Sequence, residues 1–158
     1  MALAQQTLAL VLEIALLAIV LLAIGIVGMI VIVRNLQTSY KEMYRASSKF
    51  DIELRKTANL LSKAARNEAF QPYLDKVIKE LPHAEKKALL QLVDDAYEDI
   101  DVTLEKHKYL VETYENLQEN RRVLDAKVLL FNQKIAYFPF NLAARLMKIK
   151  KQNTYTHK

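Results

Sequence analysis

The sequence has no cysteine, only two glycines and only three prolines among its 158 residues. Without cysteine, disulfides, thiol catalysis and thiolate metal sites are excluded. Strands and their turns draw on glycine and proline, and no glycine follows Gly28, so a sheet protein is not expected. Alanine, leucine, lysine, glutamate and glutamine dominate instead, and these residues favour helices.

Charge is almost missing from one end of the chain. The first 33 residues carry a single charged side chain, Glu13, whereas every lysine and arginine lies beyond Val33 and the formal net charge is +5. A basic polar part joined to an apolar end fits proximity to anionic lipid at least as well as to nucleic acid. Because no basic cleft accompanies the tyrosines, we expect a membrane and not a nucleic acid as the partner.

The run from Thr7 to Val33 contains Glu13 as its only charged residue. Its 27 residues would form a helix of about 40 Å, which exceeds the roughly 30 Å of a bilayer's hydrocarbon core. A cleaved signal peptide needs a positively charged start and a shorter apolar run, and this chain has neither. The sequence therefore predicts one uncleaved transmembrane helix, and the lack of cysteine fits a bacterial membrane protein.

Basic residues follow this anchor closely and none precedes it. Arg34, Lys41, Arg45 and Lys49 are the first four. Lysine and arginine near a spanning helix are retained on the cytoplasmic side. We therefore expect a single-pass protein of the cell membrane, with its N-terminus outside and its C-terminal domain in the cytoplasm.

The anchor contains one acidic residue and several small ones. Glu13 is six residues inside Thr7, so it either lies at the interface or has a function within the membrane. Ala18 and Gly25, with Gly28, are candidates for close approach of another helix, although glycine is also common in spanning helices.

Beyond Val33 the apolar residues form a single stripe at spacings of three and four, which predicts a helix continuous with the anchor to about Glu68. Its members are Leu36, Tyr40, Met43, Ser47, Phe50, Leu54, Thr57, Leu61 and Ala64. Pro72 and Pro82 then mark breaks on either side of a short predicted helix from Pro72 to Lys79. A second stripe predicts one long helix from His83 to Tyr137.

These patterns predict an all-α fold in which one N-terminal transmembrane helix continues into a long antiparallel helical hairpin or coiled coil. The expected domains are an anchor at 1–33, a hairpin at 34–137 and a C-terminal segment at 138–158. A two-helix hairpin has a thin core, so we expect a homo-oligomer or a membrane surface to complete the burial. The residues predicted for helix packing or oligomerisation are Ala18, Gly25, Phe50, Leu54, Leu61, Leu110, Leu117, Arg121, Val128 and Phe131. Arg121 is expected to pair with a carboxylate of the first helix or to mark an opening in the bundle.

The C-terminal segment is a basic amphipathic sequence after Phe138-Pro139-Phe140. Such a helix can lie in the head-group region of an anionic membrane, or it can pack back on the bundle. If the long helix packs antiparallel to the first, it brings residue 138 back toward the anchor. This arrangement favours contact between the C-terminal segment and the membrane. The predicted contacts are Phe138, Phe140, Leu142, Arg145, Leu146, Lys148, Ile149 and Lys151. Residues 152–158 are expected to be frayed.

Two stretches resemble LemA family proteins. Residues 50–61 resemble that family's first conserved helix. The second stretch is similar to its C-terminal pattern, with Arg121, Val128, Phe131, Asn132, Phe138, Pro139, Asn141, Leu142, Ala144 and Leu146 at the corresponding spacing. Ser47 and Ser62 stand where the family has tryptophan and proline, and the middle is short, so the resemblance is to a divergent, shortened member. It implies a single-pass membrane protein with a helical, largely cytoplasmic domain and a role in membrane organisation.

The sequence contains no recognisable catalytic motif, so we expect a protein that is not an enzyme and holds no metal or cofactor. The soluble part has no glycine-rich phosphate loop. Glu80 and His83 have the spacing of a helical di-iron ligand pair, but Pro82 interrupts it and no second copy exists. His107 is expected to be a tolerated polar residue, and the acidic run from Asp94 to Asp101 a solvated helix face.

Three functional classes follow. The leading hypothesis is a membrane-anchored scaffold that self-associates and organises a membrane or recruits partners. An adaptor or regulator of a membrane enzyme such as a protease is the second class, and a single stoichiometric partner would indicate it. The third is a coiled-coil cell-envelope subunit of the spanin or divisome type, which places its coil outside the cell, so topology separates it from the first.

Overall fold

The computed structural model describes residues 2–65 and 67–156, with side chains described from Gln6 onward. Every regular element in these ranges is helical, so the all-α class is confirmed. Single turns of 3-10 helix lie at Glu68–Phe70, Ile78–Glu80 and Glu105–His107. The α-helices are α1 Ala2–Ala65, α2 Gln71–Leu74, α3 His83–Glu98, α4 Lys108–Lys134 and α5 Phe140–Leu146.

Helix α1 is one rod of 64 residues, about 96 Å long at 1.5 Å per residue. Its N-terminal half contains the apolar segment, residues 7–33, and α1 is long and apolar enough to span a membrane. The most apolar window of this helix has a mean hydropathy of 3.3, and none of that window is buried by the rest of the chain. The prediction that the apolar segment continues without interruption into the first soluble helix is confirmed.

The C-terminal half of α1 lies antiparallel to α4. Lys127 binds Glu42 at 2.8 Å, and Lys134 binds Asn35 at 2.8 Å, so residue numbers rise along one helix as they fall along the other. The predicted antiparallel pairing is thus confirmed. The core side chains between the helices include Leu36, Met43, Phe50, Leu54, Leu61, Leu110, Leu117, Leu124, Val128 and Phe131.

The prediction of one helix from His83 to Tyr137 was wrong, because the chain breaks into α3 and α4. At the break, the carboxylate of Asp101 accepts hydrogen bonds from the backbone nitrogen of Thr103 at 3.0 Å and from its hydroxyl at 2.6 Å. Such local side-chain bonds compete with helical hydrogen bonds. Helix α3 therefore forms a third layer beside α1, and it buries Leu89, Leu90 and Val93.

The connection between α1 and α3 also differs from the prediction. Pro72 lies in the first turn of α2 as expected, but α2 ends at Leu74 and the predicted helix to Lys79 does not form. Val77 has extended backbone angles, which direct Ile78 into the core. The break at Pro82 and the start of the next helix at His83 are confirmed.

The end of the chain packs on the bundle. Lys148 adopts a left-handed φ of 54°, and the Ile149 nitrogen donates to the Ala144 carbonyl at 2.9 Å, so α5 ends in a Schellman-type turn. Residues 150–156 then run back along α4, and Tyr155 is 6% exposed. The prediction of a frayed end was wrong for residues 152–156, whereas residues 157–158 lie outside the described ranges.

Candidate functional site

Helix α5 packs on α1 at the point where the apolar segment ends. Ala143 and Ala144 are buried in this contact. At the same end of the bundle, Met29, Ile32 and Val33 of α1 are partly buried against the core. The surface that carries α5 is therefore the face of the bundle nearest to the apolar segment.

Six of the eight predicted membrane contacts are exposed on this face. Phe138 is 80% exposed, Leu142 44% and Leu146 69%, and Arg145, Lys148 and Lys151 are exposed around them. The other two, Phe140 and Ile149, are half-buried and pack against the core. Lys148, Ile149 and Lys151 lie beyond the end of α5, since the left-handed turn at Lys148 ends the helix, so Ile149 does not share a helical face with Leu142 and Leu146.

Most of the predicted packing residues are buried within the chain itself. They are Phe50, Leu54, Leu61, Leu110, Leu117, Val128 and Phe131. Because α3 and the end of the chain cover this core, these side chains are not available to a second copy. Ala18 and Gly25 lie on the uncovered apolar segment, and a Cβ atom added to Gly25 would meet no atom within 4 Å.

Helix α4 carries a second apolar surface that the sequence analysis did not single out. We call the set Val123, Ala126 and Leu130 the outer stripe. Their spacing of three and four residues places them on one helical face, away from the buried face of α4. Val123 is 41% exposed and Leu130 61%. No described part of the chain covers this stripe.

Arg121 belongs to a polar cluster centred on Asp94. The Asp94 carboxylate accepts hydrogen bonds from the Tyr114 hydroxyl at 3.0 Å, the Gln118 amide at 2.8 Å and the Arg121 guanidinium at 3.2 Å. Arg121 thus pairs with a carboxylate, but that carboxylate lies on α3 and not on the first helix. Burial and the nearby Asp94 charge raise the pKa of Tyr114 to about 12.

The end of the chain occupies a groove that sequence reasoning missed. We call residues 150–156 the tail and the residues that hold it, Phe50, His83, Arg121, Asp125 and Asn132, the tail groove. The Asn132 amide donates to the Gln152 carbonyl at 2.8 Å and accepts from the Gln152 nitrogen at 2.9 Å. The Asp125 carboxylate accepts from the Tyr155 nitrogen at 2.7 Å and also from the Thr156 hydroxyl.

The aromatic ring of Tyr155 fills the inner end of the tail groove. Its centroid lies 4.7 Å from that of Phe50 and 4.5 Å from that of His83. The His83 Nε2 atom is buried without a hydrogen-bond partner among the described residues. Burial lowers the pKa of His83, whereas a hydrogen bond with the backbone of Thr154 acts in the opposite direction. The sequence analysis had singled out three members of this groove, Phe50 and Arg121 as packing residues and Asn132 in the family-like stretch, but not the tail that they hold.

Within the described ranges, no group of three or more histidine, aspartate or glutamate residues is arranged to hold a metal ion. The His107 ring lies 2.8 Å from the Asp101 carbonyl at the exposed α3–α4 connection. Glu13 is exposed on the apolar segment. Neither residue lies near the tail groove or the outer stripe.

No protein-family model matches the chain, and no curated protein or solved structure matches it. The resemblance to LemA family proteins therefore stays a prediction from residues 50–61 and 121–146.

Proposed function

We propose that this protein is a LemA-like, single-pass, non-enzymatic scaffold that self-associates in a membrane and organises that membrane or recruits partners. The observation that carries the proposal is the outer stripe of α4. Soluble monomers rarely expose a continuous apolar face, and such faces mark interaction sites. Two copies anchored in the same bilayer present this stripe at the same height, so the same surface on each can form a symmetric contact.

The anchoring half of the proposal rests on the apolar segment and α5. The apolar segment would cross the bilayer, and Phe138, Leu142 and Leu146 would then meet the head-group region beside it. Arg145, Lys148 and Lys151 add positive charge at that level, which favours anionic lipid. The open face of Gly25 gives a second copy room to approach within the membrane.

Self-association is tested by light scattering of the full-length protein in nanodiscs or mild detergent. We expect an oligomer for the natural chain and a monomer for the double variant Val123→Glu/Leu130→Glu. Gln91→Glu adds one charge at an exposed position on α3 and should leave the oligomer intact. A monomeric natural chain, or an oligomer that survives the double variant, contradicts the proposal.

The proposed orientation has the N-terminus outside and the bundle in the cytoplasm, because Arg34, Lys41, Arg45 and Lys49 directly follow the apolar segment. Since the chain has no cysteine, one introduced thiol reports its side of the membrane. Tyr109→Cys, at an exposed position far from α5, should react with an impermeant maleimide only after the membrane is opened. Labelling in intact cells would instead indicate a cell-envelope subunit.

A second candidate function is an adaptor, which the connection between α3 and α4 favours. This end of the bundle is farthest from α5 and exposes Val102, Leu104 and Tyr109. An open cavity of about 440 Å³ lies beside Val102 and Leu104. A monomeric protein that co-purifies with one enzyme in equal amounts, and loses it in Val102→Asp/Leu104→Asp, would establish this role.

A further inference from the structure

Lys127 and Lys134 occupy equivalent positions on α4, seven residues apart on one helical face. Their partners on α1, Glu42 and Asn35, are also seven residues apart, and each lysine binds its partner at 2.8 Å. The hydrogen bond from Lys127 is the largest of the effects that lower the pKa of Glu42, and the charge of Lys134 adds a smaller one. In the pair nearer to the apolar segment, an amide thus stands where the other pair has a carboxylate, so the charge of Lys134 is not neutralised.

The ammonium group of Lys134 is held by neutral groups. Besides the Asn35 oxygen, it donates to the hydroxyl oxygen of Ser39, and it lies 5.6 Å from the centre of the Phe140 ring. The ion pairs between described residues do not include Lys134. Because the side chain is half-buried, its charge has lost part of its contact with water, and such charges are usually compensated by an opposite charge.

Unused hydrogen-bond donors converge at this point. An ammonium group has three N–H donors, and Lys134 directs two of them at Asn35 and Ser39. Both partners accept through oxygen, and no hydrogen bond between described residues uses the Asn35 amide protons or the Ser39 hydroxyl proton. Arg34, which precedes Asn35, is exposed and adds a second positive charge. Several donors with positive charge and no carboxylate among them suit an oxyanion, and phosphate oxygens are strong acceptors for such donors.

These residues lie where the head groups of a bilayer would be. Arg34 is the first basic residue of the chain, so it keeps the edge of the hydrocarbon core close to Val33. Asn35 and Ser39 lie two and six residues beyond Val33 on the continuous helix α1, which is about 3 Å and about 9 Å at 1.5 Å per residue. The head-group layer is roughly 5–8 Å thick on each side of a bilayer. Lys134 is therefore at the depth of lipid phosphates when the apolar segment spans the membrane.

We propose that Asn35, Ser39 and Lys134, with Arg34 beside them, bind the phosphate of one anionic phospholipid. We call these four residues the phosphate site. This inference rests on the proposed membrane anchoring, and it adds a specific lipid site on α1 and α4 to the general positive charge around α5. The lipid phosphate would neutralise Lys134 as the Glu42 carboxylate neutralises Lys127, and it would join α1 to α4 at the membrane surface.

Native mass spectrometry of the full-length protein in mild detergent tests the phosphate site. The protein is titrated with phosphatidylglycerol or with phosphatidylcholine. We expect the natural chain to bind one phosphatidylglycerol with an affinity at least about tenfold higher than that for phosphatidylcholine, and Lys134→Gln to lose this preference. Lys127→Gln is the matched control, because it removes the same charge from the same face of α4, and it should change the affinity by less than about twofold. Both variants keep Arg145, Lys148 and Lys151, so the difference between them reports the phosphate site.

Asn35→Asp gives Lys134 the carboxylate that Lys127 already has. The new ion pair occupies the ammonium group and adds a negative charge, so the preference for phosphatidylglycerol should fall by about tenfold. The contact between α1 and α4 is kept in this variant, and circular dichroism should show the helix content of the natural chain. The loss of lipid binding then cannot come from unfolding.

Competition with inorganic phosphate distinguishes a lipid site from a site for a soluble anion. Inorganic phosphate that binds as tightly as phosphatidylglycerol overturns the lipid assignment. The phosphate site is also wrong if the natural chain binds both lipids equally, if Asn35→Asp binds phosphatidylglycerol undiminished, or if Lys127→Gln and Lys134→Gln lose equally. Flotation with phosphatidylcholine vesicles separates the two proposals. A natural chain that floats without a lipid preference contradicts the phosphate site alone, whereas a chain that does not float contradicts membrane anchoring itself.

Discussion

The ammonium group of Lys86 lies 2.8 Å from one carboxylate oxygen of Asp51 and 3.0 Å from the other, and both side chains are 8% exposed. This pair joins the first turn of α3 to the C-terminal half of α1. Burial raises the pKa of Asp51, and the hydrogen bond from Lys86 acts in the opposite direction. The pair lies close to the tail groove, and it sets the position of α3 along α1.

Removing one member of this pair should be strongly destabilising. Lys86→Met leaves the Asp51 carboxylate buried without its partner, so we expect a loss of about 3 kcal/mol in the free energy of unfolding. Lys127→Met breaks an exposed pair with Glu42 and should cost less than about 1 kcal/mol. Chemical denaturation followed by circular dichroism measures both.

A double replacement distinguishes a missing partner from a simple loss of packing. Asp51→Leu/Lys86→Met fills similar space without charge and should recover most of the stability lost in Lys86→Met. A double variant less stable than Lys86→Met would show that the ion pair itself, and not the unpaired charge, controls stability.

The aromatic anchor of the tail is the subject of a second prediction. Tyr155→Ala removes a buried ring that contacts Phe50 and His83, which weakens docking of the tail by about 2–3 kcal/mol. Lys150 and Lys151 are exposed even in the docked tail, but only a freed backbone can enter the active site of trypsin, so cleavage after these lysines should be at least about tenfold faster. Gln152→Ala is the matched control, since the groove binds the backbone of Gln152 and that backbone is unchanged. Equal cleavage rates in the two variants would contradict this account.

Tail docking should also weaken in acid through His83. Its pKa is lowered by burial and by the charges of Lys87 and Lys86, against the opposing effects of the Thr154 backbone and Asp125. A histidine with a lowered pKa binds its proton more readily when the groove is open or unfolded. Neutral His83 therefore stabilises the docked tail fully above the ordinary histidine pKa of about 6.5, and this stabilisation declines as the pH falls below that value. Asp51, whose pKa is raised by burial, also faces this groove, and its contribution is common to the natural chain and to His83→Phe.

The measurement is the rate of tryptic cleavage in the tail at about pH 7.5 and about pH 5.5, on either side of the ordinary histidine pKa. Each rate is divided by that of an unstructured peptide with the same residues, which removes the pH dependence of trypsin. The natural chain should show faster relative cleavage in acid, and His83→Phe should lose this increase because it has no proton to bind. The same acid response in both chains would assign the effect to another group.

Local sequence patterns alone predicted the long helix α1, its antiparallel pairing and the exposed basic residues near the C-terminus. The apolar periodicity from Leu36 to Leu61 predicts a continuous helix, because residues at spacings of three and four lie on the same helical face. The break at Asp101–Thr103 was missed, since it contains neither glycine nor proline and depends on a side chain of Asp101 bonding its own neighbour. The turn at Lys148 was missed for a similar reason, as glycine usually occupies that conformation.

The tail groove could not be predicted because its members are far apart in sequence. Phe50, His83, Asp125 and Tyr155 come from four different parts of the chain. Polar composition after Lys150 is typical of a frayed end, and only tertiary contacts override that tendency. The burial of Lys86 could not be predicted either. The sequence does not distinguish a buried lysine from a surface lysine, and the partner of Lys86 lies 35 residues earlier in the chain.

Contact between α5 and lipid gives the last prediction, and the absence of tryptophan makes it measurable. Phe138→Trp places a single indole at an exposed position on the face nearest to the apolar segment, where it would enter the head-group region. In vesicles that contain anionic lipid, its emission should shift to the blue and be quenched by brominated acyl chains. Tyr109→Trp is the matched control, because Tyr109 is 62% exposed at the opposite end of the bundle and should remain in water. Equal quenching of the two indoles would mean that α5 does not lie on the membrane.

The charge reversals Arg145→Glu and Lys151→Glu, made together, should reduce the quenching of Phe138→Trp in anionic vesicles far more than in neutral ones, since only the former attract the basic side chains.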